Sequence, residues 1–246
     1  VVWICYAEMI MIGMYAVYYL HNVYHWPLWL AFASAIAIVA AGGAALHHLV
    51  IRPVLAAEPI NQLLVTGGVL FFLQAAATLV FGVEFRNLGI RLPQLQFGEM
   101  YLSMARLIAF GVALAAMVAM SVFLKRSYLG TAIRAISQDR QIMPLMGVNP
   151  NRIFLFTSAL GGALAGVAAC LLVLQYDIHP AIGLSFGPIT FLICVLGGLG
   201  NMMGGFIAAF IFAQFISVGG FFLHVEWGYV LAFLFFIAVM FWRPQG

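Results

Sequence analysis

Charge is what this sequence has least of. Ten basic and seven acidic side chains make up 7% of its 246 residues, where a soluble domain carries about 25%. So few charges cannot clothe a body of this size in water, which excludes a soluble globular domain. The net charge of +3 is too small to argue for a nucleic-acid partner. There is one lysine, Lys125, and no Gly-x-x-x-x-Gly-Lys-[Ser/Thr] run, so the chain cannot host a P-loop. Cysteine is scarce as well. Cys5, Cys170 and Cys194 are odd in number, lie in apolar runs and match no metal-site spacing; they read as small buried hydrophobes. No cleavable signal is visible. The chain opens Val1-Val2-Trp3, without Met and already inside an apolar run, and the expectation is that an N-terminal helix precedes it.

What is abundant is apolar surface, at 65% of residues. The natural solvent for such a chain is lipid, and in lipid only helices or closed barrels satisfy their own backbone. A barrel would show strands of about ten residues with alternating polarity. The apolar runs here are long and continuous, so the fold class is all-α, a polytopic transmembrane helical bundle. A span takes roughly 20 residues, which gives about seven segments. They fall at about 1–20, 27–46, 62–82, 105–124, 153–174, 185–199 and 204–242. The sixth is short and rich in Gly. The last is too long for one span, and His224–Glu226 divides it into two helices.

Sidedness follows from the basic residues. Lys125, Arg126, Arg134, Arg140 and Arg152 fall in one short loop with Asp139 as its only acid, which places that loop in the cytoplasm. Counting outward, 47–61 lies inside. The charge-balanced loop 83–104, with Glu84, Arg86, Arg91 and Glu99, lies outside, as does Tyr176–Gly183. If the sixth segment crosses, Arg243 returns to the cytoplasm; if it is re-entrant, Arg243 lies outside, against the rule. Crossing is the favoured reading.

The basic loop is the most informative segment. Gly130 is expected to break the preceding span. From Thr131 to Met143 the pattern is helical, with Ile133, Ile136 and Ile142 alternating with Arg134, Asp139 and Arg140. Gly147 ends the element and Asn149-Pro150 starts the next. Such an amphipathic helix suits either a lipid surface or a groove on a soluble partner. Elsewhere, Glu8 inside the first span costs about 3 kcal/mol on insertion scales. It either lines the solute path or makes a structural hydrogen bond. Gln74, midway along the third span, reads more simply as an interhelical polar contact. Gly197, Gly198 and Gly200 permit close helix contact or a break near the path, next to Pro180 and Pro188. Thr66-Gly67-Gly68-Val69-Leu70 and Gly161-Gly162-Ala163-Leu164 hint weakly at two related halves. His47-His48, His179 and His224 lie in different loops or at helix ends, without i, i+4 spacing inside a span. They suit membrane interfaces beside Trp26, Trp29 and Trp227 better than haem.

Several of these stretches, taken in order, resemble one family. Leu129-Gly130-Thr131-Ala132-Ile133-Arg134-Ala135, Gln138-Asp139-Arg140 and Leu145-Met146-Gly147-Val148-Asn149 resemble the cytoplasmic coupling segment of the branched-chain amino-acid ABC importer permeases. Leu160–Gly166, Val195–Asn201 and Arg243-Pro244-Gln245-Gly246 are similar to that family's small-residue helix, Gly-rich motif and C-terminal end. Glu8 with Met11–Tyr15 resembles its first block. The resemblance is nearest to the first of two homologous permease subunits. Tyr6-Ala7 departs from the family's His-Gly, and Ile142, Met143 and Pro144 stand where small residues are usual.

The resemblance implies an importer permease for branched-chain or related amino acids, or for urea or short amides, in a bacterial inner membrane. Its partners would be ATP-binding cassette ATPase subunits, a second permease or a second copy, and an extracytoplasmic solute-binding protein, all without a cofactor. It implies ATPase coupling by Gly130, Arg134, Ala135, Asp139, Arg140 and Gly147, with Ala132, Ile133 and Ala135 as an apolar docking face. Glu8, Gln74, Gly197, Gly198 and Gly200 would line or shape the path. Asp177 and His179 either meet the binding protein or are solvated loop residues. The alternative is a secondary transporter or channel working without an ATPase. A membrane enzyme would need a catalytic cluster inside the spans, and none is evident.

Overall fold

The computed structural model describes residues 5–55, 57–90, 93–97, 100–138, 143–198, 200–222 and 225–242. Its helices follow the apolar runs. α1 (Tyr6–Tyr18) continues through a π-helical turn, Tyr19–Val23. α2 (Leu28–Leu46) passes through a second such turn, His47–Ile51, into the short α3 (Arg52–Val54). α4 (Pro59–Phe81), α5 (Met104–Arg126), α6 (Tyr128–Gln138) and α7 (Pro150–Leu172) follow. α8 (Ile182–Leu196), α9 (Met202–Phe222) and α10 (Val225–Trp242) complete the chain. Among the described residues, five stretches are long and apolar enough to cross a membrane: Leu28–Val54, Ile60–Phe81, Met104–Arg126, Pro150–Leu172 and Met202–Phe222. The long final stretch is two helices, as expected. His224, Arg91, Glu99 and the Arg243–Gly246 end lie outside the described residues.

Among the described residues the fold is all-α but for one hairpin in the loop between α4 and α5. β1 (Gln94–Phe97) pairs antiparallel with β2 (Met100–Ser103), Gln94 opposite Ser103. Gln94-Leu95-Gln96-Phe97 alternates polar with apolar, the strand period, inside a stretch we read only as a loop.

Two compact units divide the chain, Val1–Ser185 and Phe186–Gly246. In the first, α2 and α7 form the closest helix pair, and α1 packs on both. Lipid gives no reward for burying one Leu face on another, so close approach of small residues has to hold such helices. On α2, Ala31, Ala35, Val39 and Gly43 recur every fourth residue and are fully buried. Opposite them on α7 stand Ser158, Gly162, Ala165, Gly166 and Ala169. A Cβ on Gly162 would stand 2.6 Å from the Val39 carbonyl oxygen, one on Gly166 2.8 Å from Ile36 Cα, and one on Gly43 2.7 Å from the Ser158 carbonyl oxygen. On α1, a Cβ at Gly13 would meet Ala169 Cβ at 2.6 Å, and Gly161 lies under the Tyr6 ring. These pairs make α1 parallel to α7 and α2 antiparallel to both, as alternating spans with the expected sidedness require.

The second unit repeats the device. Gly219 of α9 meets Gly228 of α10, a Cβ on Gly219 reaching 2.7 Å from Gly228 Cα, and Phe215 stacks on Phe235 at 4.4 Å. The glycine pair Gly67-Gly68 on α4 differs from Gly161-Gly162: nothing lies within 4 Å of where their Cβ atoms would be. Cys5 and Cys170 are buried as expected, whereas Cys194 is exposed on α8; an apolar run that faces outward exposes its cysteine with the rest.

The contrast between the glycines is testable. In the isolated chain, Gly162→Ala overpacks backbone against backbone and should cost about 1–3 kcal/mol, read as a lower Tm in detergent. Gly67→Ala should leave Tm unchanged or slightly raised.

Candidate functional site

The basic loop folds as a helix seated on the head of α7. α5 ends at Ser127, whose extended backbone turns the chain. The Ser127 hydroxyl accepts from the Gly130 N–H at 2.8 Å, an N-cap that satisfies one of the orphan donors of α6. Gly130 does not break the span; the turn at Ser127 does. Gly130 instead lets α6 fold back on α5, since a Cβ there would stand 2.5 Å from the Phe123 carbonyl oxygen and from Leu124 Cα.

Leu129, Ala132, Ile133 and Ile136 recur at helical spacing on one face. Ala132 and Ile136 are buried with Met143 and Ile153, and Leu129, Ile133, Ala135, Val148 and Phe154 pack around them. This corrects the expected docking face. Ala132 and Ile133 are spent on the chain's own α7, and Ala135 is half-buried at the edge of the same cluster. What points outward is Tyr128, Thr131, Arg134, Ser137 and Gln138, all exposed. Arg134 Nη2 lies 3.5 Å from Thr131 Oγ1, to which it donates. Asp139 and Arg140 lie outside the described residues.

α6 is described as far as Gln138, the expected continuation over 139–142 lies outside the described residues, and a 3₁₀ turn, Met143–Met146, contains Pro144. Gly147 closes that turn with φ +75°, and its N–H donates to the Pro144 carbonyl at 3.1 Å. A side chain at that φ would cost about 1–2 kcal/mol. Asn149 then caps α7, its side-chain oxygen accepting from the Asn151 N–H at 3.1 Å, with Pro150 in the first turn.

The second group centres on Glu8. Its side chain is fully buried and neither carboxylate oxygen has a hydrogen-bond partner. It lies against Gly183, in the first turn of α8, where a Cβ would collide with the carboxylate. The depth of this meeting follows from the helix pairs. Tyr6 is level with Gly161 and Gly13 with Ala169, so Glu8 lies about 13 Å short of the outer end of α7. α8 therefore begins level with the middle of the apolar helix α7, and residues 173–181 return to that level without helix. Non-helical backbone at that depth requires burial in protein or a water-filled cavity. Val173, Ile178 and Pro180 are buried accordingly.

Arg86 pins the outer end of this descent. Its N–H and carbonyl pair with the Ile178 carbonyl and N–H at 2.9 and 2.7 Å. Its guanidinium donates to the Tyr19 hydroxyl and to the Phe81 carbonyl, and stands 5.3 Å from the Tyr19 ring centroid. The bond to the Tyr19 hydroxyl pushes the already high arginine pKa further up. Asn87 donates to Asp177 at 2.6 Å, and the His179 ring lies 4.8 Å from that of Phe85. Asp177 and His179 thus tie the loop after α7 to the loop after α4. Sequence reasoning missed both Arg86 and Gly183; the only local sign was an arginine within a balanced loop.

The remaining candidates are scattered. Gln74 is half-buried on α4, its backbone carbonyl taking a bond from Thr78. Gly197, Gly198 and Gly200 form the turn between α8 and α9. Gly198 and Gly200 have φ of +81° and +95°, Gly197 packs against Gly205, and Asn201 caps α9 by accepting from the Gly204 N–H. Of the two readings left open for these glycines, Gly197 makes a close helix contact while Gly198 and Gly200 lie in the turn, and irregular backbone is found at the other end of α8. His47 is buried beside Phe154, far in sequence from His179.

Buried small-residue helix seams, long apolar helices and a basic loop folded as a helix against α7 define a multi-pass membrane protein. The family described as branched-chain amino acid transport system / permease component matches residues 1–240, and the chain belongs to that family. It is 32% identical over 223 residues to the high-affinity branched-chain amino acid transport system permease protein BraD of Pseudomonas aeruginosa, covering 88% of this chain and 73% of that one. It is 29% identical to LivH of Escherichia coli K12 over 87% of this chain and 72% of LivH. Against LivM of the same organism identity is 27%, over 76% of this chain and 46% of LivM. No solved structure matches.

The meeting of Glu8 and Gly183 predicts a coupled pair of variants. Gly183→Ala should lower Tm in detergent, at a cost of about 1–3 kcal/mol. Adding Glu8→Ala should return part of that loss, a coupling of about 0.5–3 kcal/mol. Strict additivity would show that the two residues do not touch.

Proposed function

We propose that this chain is a permease subunit of an importer for branched-chain or related amino acids in a bacterial inner membrane, driven by ATP hydrolysis on a separate subunit. One observation carries the reading: α6 is a helix whose apolar face is fixed to the head of α7 and whose polar face is exposed. A surface-lying amphipathic helix would turn its apolar side to lipid. Here that side is occupied within the chain, which favours a soluble partner over the bilayer. The partner is an ATP-binding cassette ATPase that meets Thr131 and Arg134, with Asp139 and Arg140 beyond them. A second permease completes the pathway, as the names LivH and LivM suggest for the relatives, and an extracytoplasmic binding protein delivers the solute.

Glu8 and the start of α8 mark the pathway. A helix N-terminus inside the membrane beside an unpartnered carboxylate is an arrangement transporters use at solute sites. α8 has 15 residues, about 22 Å of helix. From its starting depth that length is enough to complete a crossing, which supports a sixth segment that crosses. The secondary-transporter alternative would rest on Glu8 alone.

Co-purification decides between these readings. Arg134→Glu should reduce recovery of the ATPase with the permease at least tenfold and abolish uptake, while leaving Tm unchanged because the side chain is exposed. Uptake by the purified permease without any ATPase would overturn the proposal.

A further inference from the structure

The first unit holds an open-mouthed cavity of about 280 Å³ that neither the outward face of α6 nor the Glu8 group accounts for. It lies where the inner ends of α1, α2 and α7 meet the turn that follows α2. Its wall divides by chemistry: Ile51, Leu55 and Phe154 make an apolar side, and Tyr6, His47, Thr157 and Ser158 a polar one. Thr157 Oγ1 donates to the Ile153 carbonyl at 2.8 Å and Ser158 Oγ donates to the Phe154 carbonyl at 2.9 Å. Each hydroxyl has a single proton, so both oxygens are left to offer lone pairs to a guest. Acceptors facing an aliphatic wall suit a primary ammonium that carries a short branched chain. The volume is near the lower end for small-molecule sites, about 300 Å³, a scale that suits a small amino acid.

Phe154 serves two places at once. It packs against the cluster that seats α6, and it lines the cavity, its ring 6.2 Å from that of His47 and inclined by 28°. Close-packed interiors transmit displacement rather than absorb it, so a shift of α6 against Ile153 and Phe154 changes the cavity wall.

We propose that this cavity is an inner subsite for a small amino acid with a branched aliphatic side chain, and that Phe154 couples its shape to α6. The inference rests on the permease reading and adds to it a place where the solute pauses and a residue that senses the drive.

The test uses the permease purified with its ATPase, with Leu55→Cys introduced in a Cys194→Ser background and its rate of maleimide labelling measured. Saturating L-leucine should slow labelling at least fivefold. 4-Methylpentanoate, which keeps the aliphatic chain but lacks the ammonium, should slow it less than twofold. No protection by L-leucine overturns the subsite, and equal protection by 4-methylpentanoate overturns the ammonium assignment. Trapping the ATPase with nucleotide should change the labelling rate at least threefold, and Phe154→Ala should remove that change; an unchanged rate in the parent overturns the coupling. Labelling needs no uptake. Protection by L-leucine in a chain that recovers no ATPase would therefore refute the driven-permease reading while sustaining the subsite.

Discussion

Within a bilayer two helices gain little by pressing leucines together, so the distance between α2 and α7 is set by how near their backbones can come. Gly43, Gly162 and Gly166 remove the side chains that would hold them apart, and Ala31, Ala35 and Val39 fill what remains. α1 closes on the same seam through Gly13 and Gly161. Everything with chemical interest in the first unit is positioned from here. The head of α7 receives α6, the inner end of the seam opens into the cavity, and the register of α1 against α7 fixes the depth of Glu8.

That depth explains the most unusual backbone in the molecule. A chain that descends without helix between α7 and α8 exposes N–H and C=O groups that lipid cannot satisfy. Arg86 answers for one point of it by pairing both backbone groups of Ile178, and its side chain is held in turn by Tyr19 and Phe81. The descent ends where α8 begins, beside a carboxylate with no partner. Both features are costly in a membrane, and both occur at one place. On the proposed reading, that cost, concentrated at one site, belongs to the solute path rather than to folding.

Much of this was legible from periodicity and turn chemistry. The spans follow from unbroken apolar runs, the amphipathic α6 from Leu129, Ala132, Ile133 and Ile136, and the start of α7 from Asn149-Pro150. These signals are local, each decided within a turn or two of helix. What the sequence hid was non-local. Glu8 and Gly183 are distant in the chain, as are Arg86 and Ile178, and no local spacing announces either meeting. Gly197, Gly198 and Gly200 show a subtler limit. Glycine signals permission, and a tight turn, a close contact and a helix break all need the same permission. The face of α6 was misassigned for a related reason: an apolar stripe says that something covers it, and the chain itself turned out to be the cover.

That last point bears on how such a chain would be driven. With its apolar stripe buried against Ile153 and Phe154, α6 is fixed to α7 as one body, and α7 is fixed through its glycines to α1 and α2. A force on Arg134 is therefore delivered to the seam rather than lost in a mobile loop. On the proposed reading, the contact that would receive the force is polar and exposed, so it is exchangeable with water and can form and break. The contact that passes it on is apolar and close-packed, so it stays intact. An apolar outward face would reverse these roles, binding the partner firmly while leaving the helix loose on its own protein. On the proposed reading, the division of α6 into a fixed inner face and a releasable outer one is what lets a soluble motor act repeatedly on a membrane bundle.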